Sequence, residues 1–121
     1  MTQLNKHDLE ERTAKFCESV ILLCQKLEPT IINKPIINQL IRSATSIGAN
    51  YMEANSASSR RDFANKIFIC KKESQETKHW LRMLSVTVDD KEITEKLRIL
   101  WQECQELTMI FQKITSSLRE K

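Results

Sequence analysis

Three carboxylates, Glu53, Glu73 and Glu76, two histidines, His7 and His79, and four cysteines, Cys17, Cys24, Cys70 and Cys104, are the side chains whose chemistry is worth testing first. Carboxylates on adjacent helices can bridge two metal ions, but that chemistry uses Glu-x-x-His pairs, and this chain has none. Cys17 and Cys24 stand seven residues apart on one helical face, yet two thiols do not close a tetrahedral metal site. His79 lies among Lys78, Trp80 and Arg82 with no second ligand at useful spacing, and His7 falls in the polar start of the chain. No nucleophile, base and orienting third group can be assembled from these spacings. The reading is therefore of a non-enzyme, with no catalytic residue, metal or cofactor. The cysteines, set among apolar neighbours without C-x-x-C spacing, read as small core residues, reduced in a cytoplasmic protein.

What the polar residues do offer is a stripe beside a core seam. Arg42, Ser46, Asn50 and Glu53 follow one another on the second helical segment and are answered by Glu73 and Glu76 on the third. Arg42 is within reach of Glu73 or Glu76 if the two helices run antiparallel, with Ser46 and Asn50 hydrogen-bonding along the same seam. Such a network sets register and fixes the helix pair or a subunit contact. A second set is basic. Residues 60 to 82 carry Arg60, Arg61, Lys66, Lys71, Lys72, Lys78 and Arg82 against Asp62, Glu73 and Glu76, a local charge of +4 where the rest of the chain sums to −1. At about 100° per residue, Arg60, Arg61, Lys71, Lys78 and Arg82 cluster into a partial strip, from which Lys66 departs. Phosphate contacts require no more than this, although a lysine-rich outer face is also what an ordinary solvated helix presents.

The elements that must position these residues are all helical. A single glycine and two prolines in 121 residues leave too few turn formers for a sandwich or barrel, and the length makes one domain spanning 1–121. Helix 1 is expected over about 8–27, with Leu9, Thr13, Phe16, Val20, Leu23 and Leu27 on one face. The Pro29 to Pro35 segment breaks the pattern, with Asn33 as the cap of helix 2, expected over 34–55. There Gly48, one turn from Ala44, suggests close approach of a neighbouring helix. Ser58 or Ser59 caps helix 3, expected over 60–87, and helix 4 over 92–119 holds Ile93, Leu97, Leu100, Cys104, Leu107, Phe111, Ile114 and Leu118 at alternating spacings of four and three. Short connections imply an antiparallel up-down-up-down four-helix bundle. No apolar run spans a bilayer. Apolar residues surplus to the core seams, Ile69, Trp80 and Met83 on helix 3 and Ile99, Trp101, Met109 and Ile110 on helix 4, read either as a wide core face or as an oligomer interface anchored by Trp80 and Trp101.

The run from Leu40 to Ala54, LIRSATSIGANYMEA, followed by Arg60-Arg61-Asp62-Phe63 and Lys72-Glu73-Ser74-Gln75-Glu76-Thr77, resembles the four-helix bundle proteins encoded in intervening sequences of bacterial 23S ribosomal RNA genes. Arg42, Ser46, Ile47, Asn50, Glu53, Phe63, Glu73 and Glu76 match that family's pattern, while Ala54 stands where it usually has glycine. The resemblance implies a ring-like homo-oligomer, commonly a pentamer. It is shared with the accessory protein of diversity-generating retroelements, which works with a reverse transcriptase and nucleic acid. The leading expectation is thus a homo-oligomeric bundle that binds structured RNA or DNA through Arg60, Arg61, Lys71, Lys72, Lys78 and Arg82. The alternative is a protein-interaction scaffold whose oligomer holds a polypeptide such as a polymerase.

Overall fold

The computed structural model describes residues 6–119, with side chains from Asp8 onward, so His7's imidazole lies outside the described residues. Four helices follow in order: α1 (Lys6–Gln25), α2 (Asn33–Asn55), α3 (Arg60–Val86) and α4 (Lys91–Arg119). Each packs on its neighbours in sequence, and α4 closes back on α1. Pairings across the seams show that every adjacent pair is antiparallel. Glu10 of α1 meets Asn55 near the end of α2, and Thr13 lies beside Gly48. Arg42 meets Glu73 while Glu53 meets Lys66, and Phe68 lies under Arg119 while Lys78 lies over Trp101. Arg12 likewise meets Glu106. The up-down-up-down order follows.

The start signals are local. Ser59 accepts from the backbone N–H of Asp62 at 3.0 Å and opens α3. Asp90 accepts from Ile93 N–H at 3.0 Å and opens α4, a cap that the charged 89–91 stretch conceals. At α2 the expected cap is displaced. Asn33 is already the first helical residue, and its side chain reaches back to accept from Thr30 N–H at 2.7 Å, while Thr30 Oγ1 accepts from Asn33 N–H at 3.0 Å. This reciprocal pair is a capping box with asparagine in the acid's place. Asn33 also donates to the Glu28 carbonyl at 3.0 Å, holding the loop from beneath.

Leu40, Ala44, Ile47 and Tyr51 of α2, Ile67, Cys70, Leu81 and Leu84 of α3, and Leu97, Cys104, Leu107 and Phe111 of α4 form the core with Leu9, Phe16, Val20 and Leu23 of α1. Tyr51 and Phe111 meet across the bundle at 6.1 Å between ring centroids. Burial at three- and four-residue spacing follows from the helical period.

No residue among those described adopts positive φ, so no turn needs a glycine, and Ala54 is accommodated as a buried residue in the last turn of α2. Gly48 is not required by close approach either: a Cβ there would meet Thr13 Oγ1 at 3.7 Å, ordinary contact. Replacing Gly48 by alanine should therefore stabilise the bundle by about 0.5–1 kcal/mol through helix propensity. A lower urea midpoint for Gly48→Ala would contradict this.

Candidate functional site

The seam between α2 and α3 is the most polar part of the interior. Arg42 Nη1 donates to Glu73 Oε2 at 2.9 Å, its Nη2 pairs with Glu76, and its Nε donates to Gln39 at 3.1 Å. The guanidinium is half open to solvent, whereas Glu73 is buried. Beneath this pair, Thr77 donates to the Ser43 hydroxyl at 2.8 Å, and Ser43 donates on to the Leu40 carbonyl at 3.2 Å. The Cys70 thiol faces the Ile47 carbonyl at 3.6 Å.

The expected stripe thus divides into parts. Arg42, Glu73 and Glu76 come together as one ion cluster. Glu53 pairs instead with Lys66 at 2.8 Å farther along the seam. Asn50 donates to the Ser46 carbonyl of its own helix at 2.8 Å, a bond within α2 and not across the seam. The Ser43–Thr77 contact was hidden in the sequence because each occupies a position on an otherwise apolar face; the signal was that two hydroxyls share one antiparallel level.

A second cluster closes the bundle. Arg12 Nε and Nη2 donate to the two oxygens of Glu103 at 2.7 and 2.8 Å, and Nη2 also reaches Glu106 at 2.9 Å. Hydrogen bonding to Glu103, opposed by partial burial and reinforced by Glu106, holds the guanidinium even more firmly protonated than usual. This two-pronged tie joins α1 to α4, the pair with the least packing between helices. Beside it runs an open groove where Leu22 and Ile99 are 59% and 53% exposed.

The basic residues of α3 separate by face. Arg61, Lys72 and Arg82 are exposed on the outer arc of α3, at about 100° per residue, together with Phe68, Gln75 and His79; half-buried Lys71 lies at the edge of that arc nearest α4, and Glu76, one turn after Lys72, borders the other edge but is tied to Arg42. Lys78 turns toward α4, while Arg60 is exposed at the first residue of α3. Lys78 donates to Gln105 at 2.5 Å and lies 5.5 Å from the Trp101 ring centroid. Both tryptophans are half-buried: Trp101 under that lysine, Trp80 edge-on to His79 at 4.9 Å. More exposed apolar side chains lie elsewhere, at Leu22, Met52, Ile99 and Met109 among others.

Glu73 and Glu76 are committed to a cation, and among the described residues no three His, Cys, Asp or Glu side chains gather as a metal site. No helix described is long and apolar enough to cross a membrane. Burial pushes the Cys24 thiol to about 11 and those of Cys70 and Cys104 to about 12, and also raises half-buried Cys17.

These features define an all-α antiparallel bundle with a polar α2–α3 seam and a cationic outer face. The chain matches the model of the 23S rRNA-intervening sequence protein family over residues 5–113, and it belongs to that family. A solved structure from Bacteroides thetaiotaomicron, a protein with unknown function from the S23 ribosomal protein family, is similar at a TM-score of 0.74 and 29% identity. The match covers 88% of this chain and 96% of that one. No curated protein matches.

Two outcomes follow from the seam and the thiols. Arg42→Ala strands the Glu73 carboxylate and should cost about 1–3 kcal/mol, the lower end reflecting the guanidinium's exposure. Unfolding midpoints in urea check it, and a loss below about 0.5 kcal/mol would deny the cluster a structural role. At pH 8 a thiol-disulfide reagent should modify Cys17 first, with Cys24, Cys70 and Cys104 reacting only on unfolding. Because the native thiol pKa values lie above the unfolded value of 9.0, the associated stability is complete below that pH and declines as pH rises toward 12.

Proposed function

We propose that the chain is a non-enzymatic, homo-oligomeric bundle that binds structured RNA or another nucleic acid by phosphate contacts from α3. The observation that carries this is the pairing of charges. Arg12, Arg42, Lys66, Lys96 and Arg98 each have a carboxylate partner. Arg61, Lys71, Lys72 and Arg82 have no ion pair among the described residues, and Arg61, Lys72 and Arg82 are exposed over a stretch of α3 about 30 Å long at 1.5 Å per residue, with Lys71 at its α4 edge. Unpaired cations along a rigid helix are what a phosphate backbone selects, since binding releases its condensed counterions. Arg60, at the N-terminal end of α3, extends the same charge. Membership in a family named for 23S rRNA intervening sequences agrees with an RNA ligand in the cytoplasm.

Self-association is the second part of the reading, and the exposed Leu22, Ile99, Ile69 and Met109 support it. A ring, with a pentamer as the specific case, is the arrangement that the family resemblance favours. The same exposed residues would equally serve a polypeptide partner, which is the competing scaffold reading.

Light-scattering mass, with and without a structured RNA, at about 50 mM and then about 300 mM salt tests both parts. A multimer that gains mass with RNA at low salt and loses it at high salt is expected. Arg61→Gln with Lys72→Gln should weaken binding and lower the magnitude of the salt slope by about 2. A multimer indifferent to RNA would leave the scaffold reading, and a monomer would remove the ring.

A further inference from the structure

Phe68 shares the outward face of α3 with the imidazole of His79, and it is the apolar ring there, 36% exposed where a polar residue would serve solubility better. Its helical surroundings are cationic. Arg61 lies two turns before it, and Lys71 and Lys72 lie three and four residues after it, the spacings that place side chains beside one another on a helix. From the last turn of α4, Arg119 crosses the α3–α4 seam and holds its guanidinium carbon 5.2 Å from the Phe68 ring centroid. Arg119 has no carboxylate partner among the described residues. A flat aromatic face, a flat cation over it and two or three free ammonium or guanidinium groups around it are therefore gathered from two helices at one place.

The chemistry of that set is specific. Phosphates need only the cations, and they would leave the ring without a use. An unpaired base has a π-face that stacks on phenyl and guanidinium planes, whereas a base inside a duplex is already stacked on its neighbours. The other exposed apolar side chains are all aliphatic and offer no such plane.

We propose that Phe68 and Arg119 form a stacking site for one unpaired base of a single-stranded segment whose flanking phosphates are held by Arg61, Lys71 and Lys72. Arg119 occupies the ring face in the absence of ligand and either sandwiches the base or shifts to a phosphate when it enters. The inference rests on the phosphate-binding reading above and adds to it the strandedness of the ligand. The element recognised is then a loop, bulge or end, not a continuous helix.

Fluorescence anisotropy with a labelled single-stranded oligonucleotide and a blunt-ended, fully paired duplex of equal charge, both at low salt, tests it on the full chain. The wild type should favour the single strand. Phe68→Ala should lose about ten-fold or more for the single strand, the size of one stacked base, with the duplex affinity and the salt slope unchanged. Phe68→Trp should retain binding, and Arg119→Gln should weaken the single strand more than the duplex. Circular dichroism of each variant confirms that the bundle persists, as expected for a half-open side chain. Equal single-strand binding by wild type and Phe68→Ala overturns the stacking site. If Arg61→Gln with Lys72→Gln still weakens both probes, the phosphate reading survives that result. Absence of binding to either probe by the wild type overturns both.

Discussion

The buried carboxylate of Glu73 constrains the rest of this bundle. A charged group beside a core seam is tolerated only where a partner is fixed opposite it, and Arg42 supplies that partner from α2. The pairing sets the level of the two helices along their axes, and the Ser43–Thr77 hydroxyl contact repeats the same level inside the core. Rotation is fixed with it. Turning α3 by one residue, about 100°, would move Glu73 and Thr77 off α2 and bring the cations of the outer face toward the interior. The outward presentation of Arg61, Phe68, Lys71 and Lys72 is therefore a consequence of the seam on the opposite side of the same helix.

The α1–α4 contact works differently. Where α2 and α3 share an extensive interface, α1 meets α4 over little surface and relies on the Arg12 fork to Glu103 and Glu106. A half-exposed ion pair contributes less than a packed apolar layer, even when bidentate. The groove left beside it keeps Leu22 and Ile99 open to solvent. The bundle is thus tightly specified on the side that orients the basic face and loosely closed on the opposite side, where apolar surface stays exposed.

Much of this was legible in the sequence because helical period and charge spacing are local properties. Element boundaries fell within about two residues, the α3 cap was narrowed to Ser58 or Ser59, of which Ser59 serves, the antiparallel order was readable, and the Arg42 partners could be named from one pair of helices. What was not legible depends on three-dimensional level. Asn33 looked like a cap but serves the Thr30 box, because a side chain that can accept a helical N–H can equally turn back to the loop. Asn50 satisfied its own helix instead of the partner for the same reason. Arg12 and Glu103 are 91 residues apart, and nothing in local spacing announces a bond between helices that meet only when the bundle closes.

Net charge was the least informative of the sequence measures, and the structure explains why. A total of +3 averages cations that are already neutralised by carboxylates with cations that are not. Ion pairs across the α2–α3 and α1–α4 seams remove Arg42, Lys66 and Arg12 from the field that a ligand would meet. The acids that lower the total, Glu53, Glu73, Glu103 and Glu106 among them, are removed with these cations, and they face the seams rather than the outer side of α3. A polyanion approaching that side meets cations without ion pairs, while the nearest carboxylates along α3, Glu73 and Glu76, are engaged by Arg42. The exposed phenyl ring at its centre then distinguishes the surface from a merely solubilising lysine face, since solubility gains nothing from an aromatic group placed among cations.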